Sequence, residues 1–278
     1  MTKLIYIGGY GRSGSTLLEY LLTTSPSVVA CGEVARHLKR FGSIKTCTCG
    51  HAMQECPVWG AFQHNSRKLE GLDHQQLTLA ILEHLAAQYD AMVDASKTAW
   101  GSFFIPSRLA TQLGQDFFLI HLVRDPRAVC WSAIRTSVKH QDTRLTSAPI
   151  LRCLRTCAGW MVANIACELF RLRHREQYVR LAYEDLARLP RLVSQSVLAK
   201  VSVQSPVDIG QNHHFDNRHQ LYGNSMRFRP LSLETITEDV AWKQQLSKAM
   251  RRLTMVLCWP LAVRYGYVRA FSAPQSKD

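Results

Sequence analysis

The chain has 278 residues, 46% of them hydrophobic, which supports one large domain with a buried core and excludes a disordered polypeptide. No apolar run reaches the roughly 18 residues of a membrane span, and the first apolar stretch is too short for a secretory signal, so a cytoplasmic location is expected. The formal net charge of +13 suits an acidic ligand, an acidic acceptor or nucleic acid. Its densest basic cluster, Arg171 to Arg175, reads as the solvated end of a helix rather than a nucleic-acid arm.

Residues 4–8 are a short apolar run that reads as a buried strand. A loop follows, Gly9-Tyr-Gly11-Arg12-Ser13-Gly14-Ser15-Thr16, and then apolar residues at helical spacing to about residue 24. Strand, glycine-rich loop and helix start bring backbone N–H groups and the positive end of a helix onto one point, which is how a phosphate is held. Read as a Walker A frame from Gly9, the position after Gly14 requires Lys and holds Ser15. The cation sits inside the loop instead, at Arg12. Such a loop suits a nucleotide used for something other than γ-phosphoryl transfer.

Residues 27–31 read as a second strand. An irregular insertion over 36–72 carries Cys47, Cys49 and Cys56. With His51 or Cys31 these make four zinc ligands, although Cys-x-Cys is not the usual knuckle spacing; a disulfide and reduced thiols are the alternatives. A helix is expected over 77–88, a strand over 91–95 and a helix over 103–113. Residues 117–123 are a continuous apolar run suited to a sheet centre, with His121 read as a packed core residue. Pro126 opens a helix to about 138. A long helix over 150–176, a strand over 178–182 and a helix from 184 come next. Residues 202–232 read as loop, and two helical stretches near 239–257 and 259–265 close the chain. The alternation predicts an α/β fold, three-layered and P-loop-like, with a central parallel sheet flanked by helices, as a single domain over 1–278.

A second constellation follows the central strand: Arg124-Asp-Pro-Arg-Ala-Val-Cys-Trp-Ser132. Arg124 falls at the carboxyl end of a strand, where open α/β sheets bind ligands, and Ser132 returns to the same face two helical turns later. An Arg and a hydroxyl so placed can grip one phosphate from two sides. Asp125 at the strand end could instead be a Walker B carboxylate, but Arg124 beside it would repel Mg²⁺. Asp94 is the other candidate for that role.

The pairing of Gly-Arg-Ser-Gly-Ser-Thr-Leu-Leu with Arg-Asp-Pro-Arg-Ala-Val-x-x-Ser resembles the sulfotransferase family, which uses 3′-phosphoadenosine 5′-phosphosulfate (PAPS). The tyrosylprotein and bacterial carbohydrate branches are the most similar. Further segments follow in the family's order: Cys31-Gly-Glu33-x-x-Arg36, Asp94-Ala-Ser96-Lys97, Tyr183-Glu-Asp185-Leu186 and His219-x-x-x-Gly223-Asn224-x-x-Arg227. The resemblance implies that Gly11, Arg12, Ser13, Gly14, Ser15 and Thr16 hold the 5′-phosphosulfate, and that Arg124 and Ser132 hold the 3′-phosphate. Tyr183 and Arg227 complete the donor site, with His219 and Arg227 in a lid-like loop. Arg12 and Lys97 would stabilise the transferring group, and Glu33 would be the base. The implied product is 3′,5′-bisphosphoadenosine, and no metal is required, since a sulfuryl group carries less charge than a phosphoryl group. The acceptor would be a hydroxyl of a glycan, a peptide tyrosine or a small molecule, acidic ones included. A P-loop small-molecule kinase is one alternative, weakened by the missing lysine. A basic nucleic-acid-binding protein is the other, and it lacks a basic helix or aromatic array.

Overall fold

The computed structural model describes residues 2–37, 44–64, 71–139, 149–204, 218–228 and 233–268. Six strands, β1 (Lys3–Gly8), β2 (Val28–Gly32), β3 (Ala91–Asp94), β4 (Phe117–Val123), β5 (Tyr178–Ala182) and β6 (Arg218–Tyr222), form one sheet in the order β5-β4-β1-β3-β2-β6. Every paired neighbour is parallel. Alternate side chains of β1 feed opposite faces: Leu4 and Tyr6 join Met92, Phe117 and Leu119, whereas Ile5 and Ile7 join Val93, Phe118 and Ile120. Burial on both faces is why the central strands read as unbroken apolar runs.

Helices cover each face. On one side lie α1 (Ser15–Leu22), then, after α2 (His74–Leu85), α3 (Ile105–Leu113), α4 (Pro126–Lys139) and α5 (Pro149–Arg173) on other surfaces, α6 (Tyr183–Arg188) and α7 (Pro190–Lys200). Leu17, Leu18, Leu21 and Leu22 of α1 pack there with Leu186, Val193 and Val197. The opposite face takes Leu77, Ile81 and Leu85 of α2, Leu109 of α3 and Phe170 of α5. A separate cluster joins α4, α5 and α8 (Lys248–Arg264) through Val129, Cys130, Cys153, Trp160 and Cys258. Full burial of each such leucine is worth roughly 1.5–3 kcal/mol.

The three-layer parallel fold is as expected, and its element boundaries differ in instructive ways. Helix α2 starts at His74, three residues before its apolar spacing begins, because Asp73 and Gln76 form a reciprocal capping box. Strand β6 lies inside the stretch read as loop. Its Arg-His-Gln start lacks apolar alternation, and pairing with β2 holds it instead. Helix α8 begins at Lys248 and runs through Pro260, where two separate helices were expected. The lost bond falls on the carbonyl of Val256, a residue 74% exposed, so solvent can satisfy it.

The chain leaves β1 toward β2 and β3 on one side and toward β4 and β5 on the other. The carboxyl end of β1 is therefore the topological switch point, where such sheets open a ligand crevice. Among the described residues, no helix is long and apolar enough to cross a membrane.

Candidate active site

The loop from β1 to α1 needs its glycines. Gly9 has φ 103°, and a Cβ there would stand 2.4 Å from the Leu122 carbonyl oxygen; Gly14 has φ 94°, and its Cβ would meet the Tyr183 ring at 2.6 Å. Arg12, with φ 72°, takes the same left-handed backbone despite its side chain, and so does Lys97. Residues held there cost of order 1–3 kcal/mol and cluster at functional sites. The Ser13 hydroxyl is buried and has no hydrogen-bond partner among the described residues.

At the end of β4, Arg124 is buried over the Tyr183 ring, 4.1 Å from its centroid. It donates to the carbonyls of Arg12 at 3.1 Å and Asp239 at 3.2 Å, while its Nε has no partner among the described residues. The Asp239 carboxylate lies 3.3 Å from Arg124 and 3.6 Å from Arg135, so an acidic side chain already faces the cation expected to take a phosphate. Asp125 is engaged elsewhere: it accepts from the Arg127 backbone at 2.8 Å and pairs with the Arg127 guanidinium at 2.6 Å. Asp94 is buried, accepting from the Ser96 amide at 2.8 Å and lying 3.5 Å from His74 Nε2. Neither carboxylate is free for a Walker B role.

Glu33 follows β2. One of its oxygens is 2.6 Å from Arg36, the other 4.0 Å from Lys97 Nζ. Its backbone N–H donates to Tyr222 O at 3.0 Å, tying it to the end of β6. Lys97 also donates to the Ala95 carbonyl, and its own carbonyl accepts from the Tyr6 hydroxyl. Burial pushes the Arg12 guanidinium down from its ordinary value, an effect that Glu33 opposes.

Two cavities open onto these groups. One, of ≈ 390 Å³, is lined by Gly11, Arg12, Gly14, Ser15 and Thr16 of the loop, though not by the buried Ser13, by Arg124, Ser132 and Tyr183, and by Gly223, Asn224 and Asp239. The other, of ≈ 660 Å³, is lined by Tyr10, His74, Trp100, Arg152, Arg155 and Thr156. Gly11, Arg12, Glu33, Arg36 and Lys97 belong to both. A further cavity of ≈ 620 Å³ lies by Lys3, Phe117 and Phe118, at the amino ends of β1 and β4, away from the crevice.

Arg227 lines neither of the two joined cavities. Its guanidinium donates to Gly223 O at 2.7 Å and faces a small pocket with Thr16, Leu17 and Tyr20. His219 is buried beside Cys47 and Cys56, also away from both cavities. His121 is a core residue as expected, held by Tyr178 and Asn164 at 2.7 Å each, and burial pushes it down to about 4.

Five residues at or beside the site escaped the sequence reading. Asp239 and the pair Arg152 and Arg155 carried no local signal. His74 opens a helix, and only the fold sets it against Asp94. Glu19 did carry one: a carboxylate in the apolar run Leu17-Leu-Glu-Tyr-Leu-Leu22 must be buried and must find donors.

A sequence model of the sulfotransferase family matches residues 5–206, so the chain belongs to that family. The fold agrees. The sulfotransferase domain from the curacin biosynthetic pathway superposes with a TM-score of 0.63 at 21% identity, covering 94% of this chain and 97% of that one. The sulfotransferase domain of the Synechococcus PCC 7002 olefin synthase gives 0.53 at 18% identity, covering 94% of each chain. A sulfotransferase from Alicyclobacillus acidocaldarius gives 0.53 at 11% identity, covering 95% and 94%. No curated protein sequence matches the chain.

Proposed function

We propose that this single-domain chain moves a sulfuryl group from PAPS to a hydroxyl of an anionic acceptor. The observation that carries the reading is the pair of cavities meeting at Arg12, Glu33 and Lys97, one built for phosphates and the other walled by arginines. Arg124 Nε, a buried donor without a partner among the described residues, belongs to a side chain lining the cavity beside the glycine-bent loop, which fits a bisphosphorylated nucleotide. The loop amides from Gly11 to Thr16 would hold the 5′-phosphosulfate, and Arg124 with Ser132 the 3′-phosphate. Tyr183 would keep the Arg124 guanidinium flat against its ring. Arg227 would brace Gly223 at the rim.

When bound, PAPS supplies a sulfuryl group whose bond to the 5′-phosphate oxygen breaks as the acceptor oxygen bonds to sulfur, leaving 3′,5′-bisphosphoadenosine. Glu33 takes the acceptor's proton. Arg12 and Lys97 stabilise the charge growing on the leaving oxygen, and fixed cations in this position need no metal ion. Arg36, Arg152 and Arg155 give the acceptor side a positive wall, which suits a sulfated or carboxylated glycan, an acidic peptide or an anionic small molecule. The cytoplasm is the proposed location, and nine cysteines with no disulfide among them suit its reducing conditions.

The test is transfer of radiolabelled sulfate from PAPS to a panel of anionic and neutral acceptors, together with calorimetry. Binding of 3′,5′-bisphosphoadenosine should exceed that of 5′-AMP, and Arg124→Ala should remove about 1.5–3 kcal/mol of the difference. Equal affinities for the two nucleotides would remove the 3′-phosphate site from the account.

A further inference from the structure

Cys47, Cys49 and Cys56 come from the insertion, and His219 from strand β6, yet their ligand atoms all lie within 4.8 Å of one another. His219 Nδ1 stands 3.6 Å from Cys47 Sγ and 3.2 Å from Cys56 Sγ, and Cys49 Sγ stands 3.8 Å from Cys56 Sγ. A tetrahedral zinc with bonds of about 2.3 Å to sulfur and 2.0–2.1 Å to nitrogen places its ligand atoms about 3.8 Å apart for two sulfurs and about 3.6 Å apart for sulfur and nitrogen. We infer that these four residues form a structural zinc site. The fourth ligand is His219; His51 and Cys31, the candidates of the sequence reading, lie outside the group.

The surroundings are those of a closed metal knuckle. Cys47 N–H donates to His51 O at 2.9 Å, Gly50 N–H to Cys47 O at 3.0 Å, and Thr46 bridges Ala52, which curls 46–52 into a tight turn. The Trp59 amide donates to Cys56 Sγ at 3.5 Å, a contact that stabilises a thiolate. The Trp59 indole donates to the His219 carbonyl at 2.7 Å, fixing the histidine's backbone. Three thiolates and an imidazole in a tetrahedron select zinc over harder cations, and four protein ligands leave no open position for catalysis. A disulfide would join two of the sulfurs and leave the third thiol and the imidazole without a reason to converge.

The consequence is mechanical. Thr48, between two of the cysteines, donates to Arg218 O and accepts from Gln220 N at 2.8 Å, so the knuckle straddles β6 at His219. β6 ends at Tyr222, whose carbonyl holds the Glu33 amide, and continues into Gly223 and Asn224 of the ≈ 390 Å³ cavity. The metal would tie the insertion to the strand that carries one wall of the site. Without it, β6 would keep its pairing with β2 and the Glu19–Gln220 bond, and the insertion would lose a four-ligand tie to the strand.

The test needs no sulfuryl-transfer assay, so it can fail independently of the proposed activity. Full-length protein purified without chelators is analysed by inductively coupled plasma mass spectrometry, and about one zinc ion per chain is expected. Cobalt exchange should give the thiolate charge-transfer and visible bands of a tetrahedral site. His219→Ala and Cys47→Ser should lose most of the metal, whereas His51→Ala should keep it. Should the variants fail to fold, titration of wild-type thiols with a mercurial, read by a chromogenic chelator, should release zinc in step with thiol modification. A folded protein that carries below about a tenth of a zinc ion per chain and takes up neither zinc nor cobalt would overturn the inference, as would a disulfide among the three cysteines by intact mass.

Discussion

Glu19 offers a test of the site's architecture that pH alone can read. Its side chain is buried at 1% exposure within α1, with one oxygen accepting from the Gly32 amide at 2.9 Å and the other from the Gln220 side chain at 2.8 Å. Burial pushes its carboxyl up to about 8, with Lys97, Gln220 and Gly32 pulling the other way. Near neutrality the folded protein therefore holds Glu19 protonated. The Gln220 Oε1 has no partner among the described residues, so turning that amide over supplies an acceptor for the acid proton. The unfolded chain has an ordinary Glu, at 4.5, so unfolding releases a proton between about pH 4.5 and 8. Stability from this group is intact at the acidic end and falls as pH rises through that window, by about 1.4 kcal/mol per pH unit and at most about 5 kcal/mol in all. Glu19→Gln keeps the shape and cannot ionise. Urea unfolding of both proteins across this range should show the variant gaining on wild type as pH rises, because every other titrating group cancels in the difference. Two curves that stay parallel would refute the buried, protonated carboxyl.

The proposed base, the proposed donor site and the loop each give a sharper measurement. Glu33→Gln should lower turnover by about 10²–10⁴-fold and leave 3′,5′-bisphosphoadenosine affinity unchanged. If more than about a tenth of the rate survives, His74, which lines the proposed acceptor cavity with Asp94 behind it, takes Glu33's place as base. Asp239→Asn should tighten nucleotide binding in calorimetry, since its carboxylate sits 3.3 Å from Arg124, where the 3′-phosphate is proposed to bind; weaker binding would mean that Asp239 orders Arg124 instead of competing for it. Gly14→Ala, with a Cβ 2.6 Å from the Tyr183 ring and φ 94°, should lower the melting temperature and nucleotide affinity together. Retention of both would show that the loop can rebuild.

The parts of this protein legible in its sequence are those whose physics is local. The strands that became β1 and β4 stand out because a buried parallel strand must be apolar at every position. The glycine-rich loop after β1 stands out because left-handed turns at Gly9 and Gly14 leave no room for a Cβ. What escaped was assembled over distance. β6 reads as loop because its register comes from β2 and the knuckle, not from its own side chains. The sequence could offer Cys47, Cys49 and Cys56 as a ligand set but not His219, which lies over 160 residues away and reaches them only through the sheet. Asp239 lies in a stretch with no motif and meets Arg124 across the mouth of the sheet. Glu19 was readable in principle, as a carboxylate on an apolar stripe, but only the structure shows that its partners are Gly32 and Gln220.

The net charge of +13 takes on a specific meaning once the two cavities are compared. Each cationic wall carries a carboxylate. Asp239 faces Arg124 and Arg135 on the proposed nucleotide side, and Glu33 faces Arg36 and Lys97 at the junction. Their proposed fates differ, because Asp239 shares its place with a phosphate whereas Glu33 has a proton to take. Asp239 is about a third exposed, so water can receive it when a more highly charged phosphate competes for Arg124. Glu33 is mostly buried and anchored by its own backbone to β6. Its Arg36 partner is 65% exposed, which screens that pair. The oxygen facing Lys97 lies 4.0 Å from the ammonium, beyond hydrogen-bond distance, and so keeps a lone pair to accept with. On the proposed reading, that oxygen receives the acceptor's proton, while Lys97, held by the Ala95 carbonyl, meets the charge on the other side of the transferring sulfur.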